Sequence, residues 1–353
     1  MQRSQKNQLG YFFIVMASVI IVLAGVKFAA SIIVPFLLSL FIAIILSPSY
    51  NFFKSKGFPD VVAIIIVIGT FLLFLAFIAK LIGTSVHGFS ANIDNYATRL
   101  SSYYVTLSNF SADLGFEIPV SEITTLFDSK QAMRFFTSII NGLGSVFTNG
   151  FVVILTVVFM LLESKHFIYK IRYADGDAKA MSRINQIFTQ IKSYMVIKSL
   201  ISLLTGTIVW LFLTFVIGTD YAFLWGVLAF LFNFIPNIGS IIAAVPAVLI
   251  TLVQFGGVSA FVVAIFYVIV NISIGSILEP KVMGKGLGLS TLVVFLSLIF
   301  WGWLLGIVGM LLSIPLTIMA KIIFDANEDT KWIAVLLGSG ENLETDSVTS
   351  LNK

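Results

Sequence analysis

The sequence predicts an all-α integral membrane protein of about eight transmembrane helices, two of them Gly/Pro-interrupted, plus an external amphipathic helical region. Three observations carry that prediction. The chain of 353 residues is 58% hydrophobic and only 11% charged, whereas a soluble domain carries roughly a quarter charged residues. Several apolar runs reach the roughly 20 residues that cross a hydrocarbon core. These runs are continuous rather than alternating, which leaves helices and excludes a barrel, since lipid offers the backbone no hydrogen-bond partner.

The elements follow in order. The basic N-terminus, MQRSQKNQLG, leads into a retained first span at 9–26, and a tight turn forms around Lys27. The second span, 32–46, contains Pro35 and ends at SPS. After a loop bearing Lys54 and Lys56, the third span covers 61–82. A more polar stretch, 83–140, precedes the fourth span at 145–162. The connector 163–195 shows an amphipathic stripe of Ile184, Phe188, Ile191 and Met195, then enters a fifth span at 195–217. An uncharged run at 221–253, a span at 258–278 and a second uncharged run at 289–320 complete the set. The polar tail reads as disordered. As domains, 1–82 holds three spans, 83–140 the external region, 141–326 the transport core and 327–353 the tail.

Lysine and arginine near span ends hold loops on the cytoplasmic side. Arg3, Lys6, Lys54, Lys56, the basic residues of 163–195, Lys281 and Lys285 all agree with one orientation, with both termini cytoplasmic. The acid-rich 83–140 stretch is then external. It carries Phe89, Ile93, Tyr96, Leu100, Tyr103, Leu107, Phe110 and Leu114 at alternating spacings of four and three, a heptad seam. Such a seam packs either between subunits or within one, and the residues leave that open. Gly88, Gly115 and Pro119 mark the ends of the seam.

Both uncharged runs would measure about 50 Å as straight helices, more than the membrane needs. The first is interrupted at NFIPNIGS, where Pro236 removes a donor and Gly239 frees the backbone. The second is interrupted around WGWLLGIVG and at Pro315. Irregular backbone at membrane depth must be buried or line a wet cavity, so paired interruptions point to a translocation pathway. Asn233, Pro236, Asn237, Gly239, Ser240, Asn271, Ser273, Thr291, Trp301, Gly302, Gly306 and Gly309 are its expected residues. They offer amides, hydroxyls and aromatic faces suited to a neutral polar solute. Glu163, Glu279 and Lys281, at span ends, are candidate coupling or gating charges, although an interfacial ion pair is the plainer role.

Other chemistry is disfavoured. There is no cysteine, and His87 and His166 fall on opposite sides of the membrane, so no metal site, catalytic group or cofactor is expected. No catalytic motif stands in a span, GKGLG lacks the Walker spacing, and the charge of +4 reflects basic loops rather than a nucleic-acid surface. No span carries a carboxylate near its centre, as a cation/proton antiporter requires.

NFIPNIGSIIAAVP at 233–246, ILEPKVMGKGLGLSTLVVFLSLIFWGWLLGIVGMLLSIPLT at 277–317, VPFLLSLFIAIILSPSYNFFKSKGFPDVVAI at 34–64 and VVFMLLES at 157–164 resemble signature segments of the autoinducer-2 exporter (AI-2E) family. The resemblance covers nearly the whole chain and is weakest in the external stretch. It implies an eight-helix protein of the bacterial inner membrane, a homo-oligomer such as a pentamer, and export of the signalling molecule autoinducer-2 in quorum sensing. Some members resemble Na⁺(Li⁺)/H⁺ antiporters, which is the alternative function.

Overall fold

The computed structural model describes residues 2–113, 150–175, 178–236, 238–283 and 288–339. The described residues are helical, with no strand among them. In order they form α1 (Gln2–Phe28), α2 (Ala30–Ser55), α3 (Asp60–Asp113), α4 (Gly150–Asp175) and α5 (Ala178–Phe212). A π-helical turn, π1 (Leu213–Ile217), leads to α6 (Ala222–Phe232) and α7 (Gly239–Phe255). Next come α8 (Gly257–Val270), a second π segment, π2 (Asn271–Leu278), and the short α9 (Glu279–Met283). The last described elements are α10 (Thr291–Leu311), α11 (Ser313–Asp325) and α12 (Lys331–Leu337).

Among the described residues, five helical stretches are long and apolar enough to cross a membrane: Ala30–Ser55, Asp60–Phe89, Asn185–Ile217, Gly257–Met283 and Thr291–Leu311. Large apolar side chains stand outward along them, with Val258 81% and Leu73 75% exposed, so hydrocarbon is the solvent that suits these faces. The protein is a multi-pass membrane protein.

The chain divides into two compact units, one of Met1–Ile44, Asn149–Ile184 and Leu289–Lys353, the other of Ile45–Thr148 and Asn185–Gly288. In the first unit the fully buried Ser39 on α2 donates to the Val153 carbonyl of α4 at 3.1 Å. Lys27 of α1 lies over the Trp303 ring of α10, 4.2 Å from its centroid, a cation–π contact. In the second unit Tyr50 of α2 donates to Asp60 at the start of α3 (2.6 Å), and Lys54 pairs with the same carboxylate (2.6 Å).

The second unit packs around Trp225 of α6, with Val209, Leu213, Ala243, Ala247 and Val263 fully buried beside it. Glycine sets the crossing of α5 and α6. A Cβ on Gly206 would stand 2.7 Å from the Gly226 carbonyl oxygen, and one on Gly226 would stand 2.6 Å from Trp210 Cβ. Small residues let helix backbones approach where lipid gives no hydrophobic drive to associate. Gly226→Val is therefore expected to cost about 1–3 kcal/mol by forcing these helices apart, readable as a lowered unfolding temperature in detergent.

Two local expectations change. The turn expected around Lys27 is a break at Ala29, across which the Ala29 N–H still reaches the Gly25 carbonyl (2.9 Å). Gly88 does not begin the seam helix, because α3 runs through it for 54 residues, about 80 Å at 1.5 Å per residue. The absent side chain at Gly88 instead admits the Tyr221 ring, which a Cβ there would meet at 2.8 Å.

Candidate functional site

The sequence-expected pathway residues fall into the two units and are described separately. In the second unit, the turn that joins α6 to α7 contains Pro236 and is closed by Gly239, whose missing Cβ would lie 1.7 Å from the Phe232 carbonyl oxygen. Only glycine allows that approach. Beside this turn is a small pocket whose polar lining is Thr205, Asn233, Ser240, Tyr267 and Asn271. Its apolar lining is Ala229, Ala243, Val270, Ile274 and Gly275. No charged side chain borders it.

Each polar residue arrives by a separate route. Asn233 caps the end of α6 and donates to Ser202 of α5 at 2.9 Å. Ser240 stands in the first turn of α7. Thr205 lies on the buried face of α5 and returns its hydroxyl to the Ile201 carbonyl (2.9 Å). Tyr267 comes from α8 and Asn271 opens π2. The Asn271 Oδ1 is 3.2 Å from where a Cβ on Gly275 would stand, so that glycine gives the amide room. Ser273, expected in the same group, is exposed and does not line the pocket. Asn237 lies outside the described residues.

A polar stripe extends from the pocket residues along two elements. Along α5, Tyr194, Lys198, Ser202 and Thr205 recur at helical spacing and are all buried. Along α8, π2 and α9, Tyr267, Asn271, Gly275 and Glu279 recur every four residues. Ile201, Val270 and Ile274 pack these two elements together. Lys198 donates to Glu279 Oε1 at 2.6 Å, with side chains only 5% and 16% exposed. This pair corrects the expected association of Glu279 with Lys281. Lys281 is exposed, and two residues along a helix point to different faces. Sequence reasoning missed Lys198, although its place in the stripe with Tyr194 and Ser202 was a usable signal.

At the other end of α6 a second polar cluster ties α3 to the unit. Tyr96 donates to Asp220 (3.0 Å), the Asp220 N–H donates to Gln254 (2.9 Å), and Trp225 Nε1 donates to the Asp220 carbonyl (2.9 Å). Asn92 donates to the Tyr221 hydroxyl (3.1 Å). Burial, then hydrogen bonds to Tyr221 and Asp220, push the Tyr96 phenol well above its ordinary value, so it stays a donor throughout the physiological range. Phe89 is buried against Trp225, with ring centroids 6.0 Å apart. Thus two members of the heptad seam, Phe89 and Tyr96, pack within the subunit. Ile93, Leu100, Tyr103, Leu107 and Phe110 lie on α3 with side chains outside the described set, and Leu114 lies outside the described residues.

In the first unit, Gly306 has φ 70° and ψ −152°, which no helix accommodates. The chain doubles back there. A Cβ on Gly309 would lie 2.0 Å from the Trp301 carbonyl oxygen, and one on Gly302 would meet Met310 at 2.8 Å. The Trp301 indole donates to Thr317 of α11 at 3.0 Å. Thr291 is exposed beside the α10 cap, where Ser290 accepts from the Val293 N–H (3.2 Å). Glu163 forms an exposed ion pair with Lys170, the kind that contributes little. No group of ionisable residues able to hold a metal occurs among the described residues.

The comparisons with known proteins agree on one family. The model described as AI-2E family transporter matches residues 16–329. AI-2 transport protein TqsA of Escherichia coli K12 is 38% identical, over 92% of this chain and 94% of that protein. A Haemophilus influenzae protein, provisionally named as a transport protein, is 43% identical over 93% of this chain and 96% of its own. YhhT of Escherichia coli K12, with a similarly provisional name, is 37% identical over 96% and 98%.

Proposed function

The chain belongs to the AI-2E family of transporters, and we propose that it exports autoinducer-2 across the bacterial inner membrane through the pocket at the α6–α7 turn. The observation that carries this reading is the lining of the pocket. Hydroxyls and amides converge there without a single charge. That chemistry suits a small neutral solute rich in hydroxyls, while an ion would need a counter-charge. The name of TqsA supplies the solute. Asn233 faces the solute. The native particle is a homo-oligomer of eight-span subunits with cytoplasmic termini, joined through the outer part of α3.

The test is uptake of labelled autoinducer-2 into inside-out vesicles with and without the protein, under imposed pH or Na⁺ gradients, with a lumenal pH dye. Protein-dependent accumulation is expected, reduced by Asn233→Ala about tenfold, the loss of one hydrogen bond and the desolvation of its partner. No accumulation by well-folded protein sinks the reading.

One observation favours Na⁺(Li⁺)/H⁺ exchange as the second reading. Glu279 is a carboxylate shielded within a membrane helix, where such groups are commonly functional. Its Oε1 already engages Lys198, so a cation would first have to displace an ammonium. A Na⁺-triggered dye response without movement of autoinducer-2 would promote this alternative.

A further inference from the structure

We propose that Tyr267 is the hydroxyl donor that selects solutes in the pocket, a role that rests on the transport reading above. The side chain is 6% exposed and lines the pocket, and its hydroxyl is buried without any hydrogen-bond partner. A buried hydroxyl without a protein partner is unfavourable, and an acceptor entering the pocket would satisfy it. Its neighbours in the pocket, Asn233, Asn271 and Ser240, can each donate and accept. Tyr267 adds a rigid donor held by the core on its other side, where it packs with Val263 and Trp225 in one cluster.

The pocket as it stands has room for about one water and must widen to admit a solute; its lining then suits a neutral one with several hydroxyl or carbonyl groups, one of which accepts from the phenol. An anion would lack a cationic partner. A wholly apolar solute would leave the Tyr267 hydroxyl unsatisfied, and a site with an unpaired polar group rejects such a ligand strongly. Along the polar stripe, Tyr267 stands at one end and the Lys198–Glu279 ion pair at the other.

The experiment compares the full-length wild type with Tyr267→Phe in two assays. One is the midpoint of thermal unfolding in detergent against increasing ribose, used as a simple neutral polyhydroxyl probe. The other is the KM for autoinducer-2 in vesicles. Without ligand, Tyr267→Phe should unfold at the same temperature or higher, since only an unsatisfied group is lost. The concentration of ribose that stabilises it, and its KM, should both rise about five- to tenfold while kcat falls less. An unchanged KM and unchanged ribose response in Tyr267→Phe would overturn the inference, as would a wild type that ribose does not stabilise. Ribose stabilisation that depends on Tyr267, in protein that moves no autoinducer-2, would instead keep the inference and discard the transport reading.

Discussion

Lys198→Met, made with Glu279 left in place, is expected to destabilise the protein by about 3–5 kcal/mol, because it strands a buried carboxylate. Both side chains are nearly out of solvent, and their contact at 2.6 Å is direct. The double variant Lys198→Met/Glu279→Leu should recover most of that loss, since apolar side chains of similar volume replace a buried pair at little cost. Unfolding of the purified protein in detergent measures both. A single variant as stable as the wild type, or a double variant no better than the single, would show that the pair is hydrated. Transport separates bracing from gating. If the pair acts as a gate, the stable double variant should carry autoinducer-2 at an altered rate.

The second large effect is expected at Gly239. An alanine there would place its Cβ 1.7 Å from the Phe232 carbonyl oxygen, and a backbone oxygen cannot rotate aside as a side chain can. The α6–α7 turn would have to open. The loss should exceed the usual range for single substitutions, about 0.5–3 kcal/mol, and transport should fall with it. Gly257→Ala is the control, because open space surrounds that position. Equal behaviour of the two variants in unfolding and in vesicle transport would contradict the close approach.

The all-helical membrane character was legible from composition and run length alone, because lipid leaves the backbone few alternatives. The site was legible only in its residue types. Asn233, Ser240 and Asn271 were expected from their amides and hydroxyls, and they share a pocket. Thr205 and Tyr267 were not expected, since neither differs from its apolar neighbours until α5 and α8 pack together. Lys198 was missed because a basic residue near the cytoplasmic end of a span normally reports orientation. The span begins ten residues earlier than expected, at Asn185, which carries Lys198 inward. Gly88 misled by its low helix propensity, which its contact with Tyr221 overrides.

The π2 segment has a consequence for how the gene can change. Twelve residues along an α-helix, Glu279 would sit about 120° around the axis from Tyr267. A π-helix turns less per residue than an α-helix, and the slower winding of π2 takes up that angle. Glu279 thereby reaches Lys198 on the face that carries Tyr267 and Asn271. Loss of a single codon between Asn271 and Leu278 would leave every one of those side chains in the protein. It would restore ordinary winding, and eleven residues of α-helix bring the carboxylate to within about 20° of the Tyr267 face, still toward its lysine. In this stretch the winding can absorb the loss of one residue, which in a plain α-helix would turn everything beyond it by about 100°.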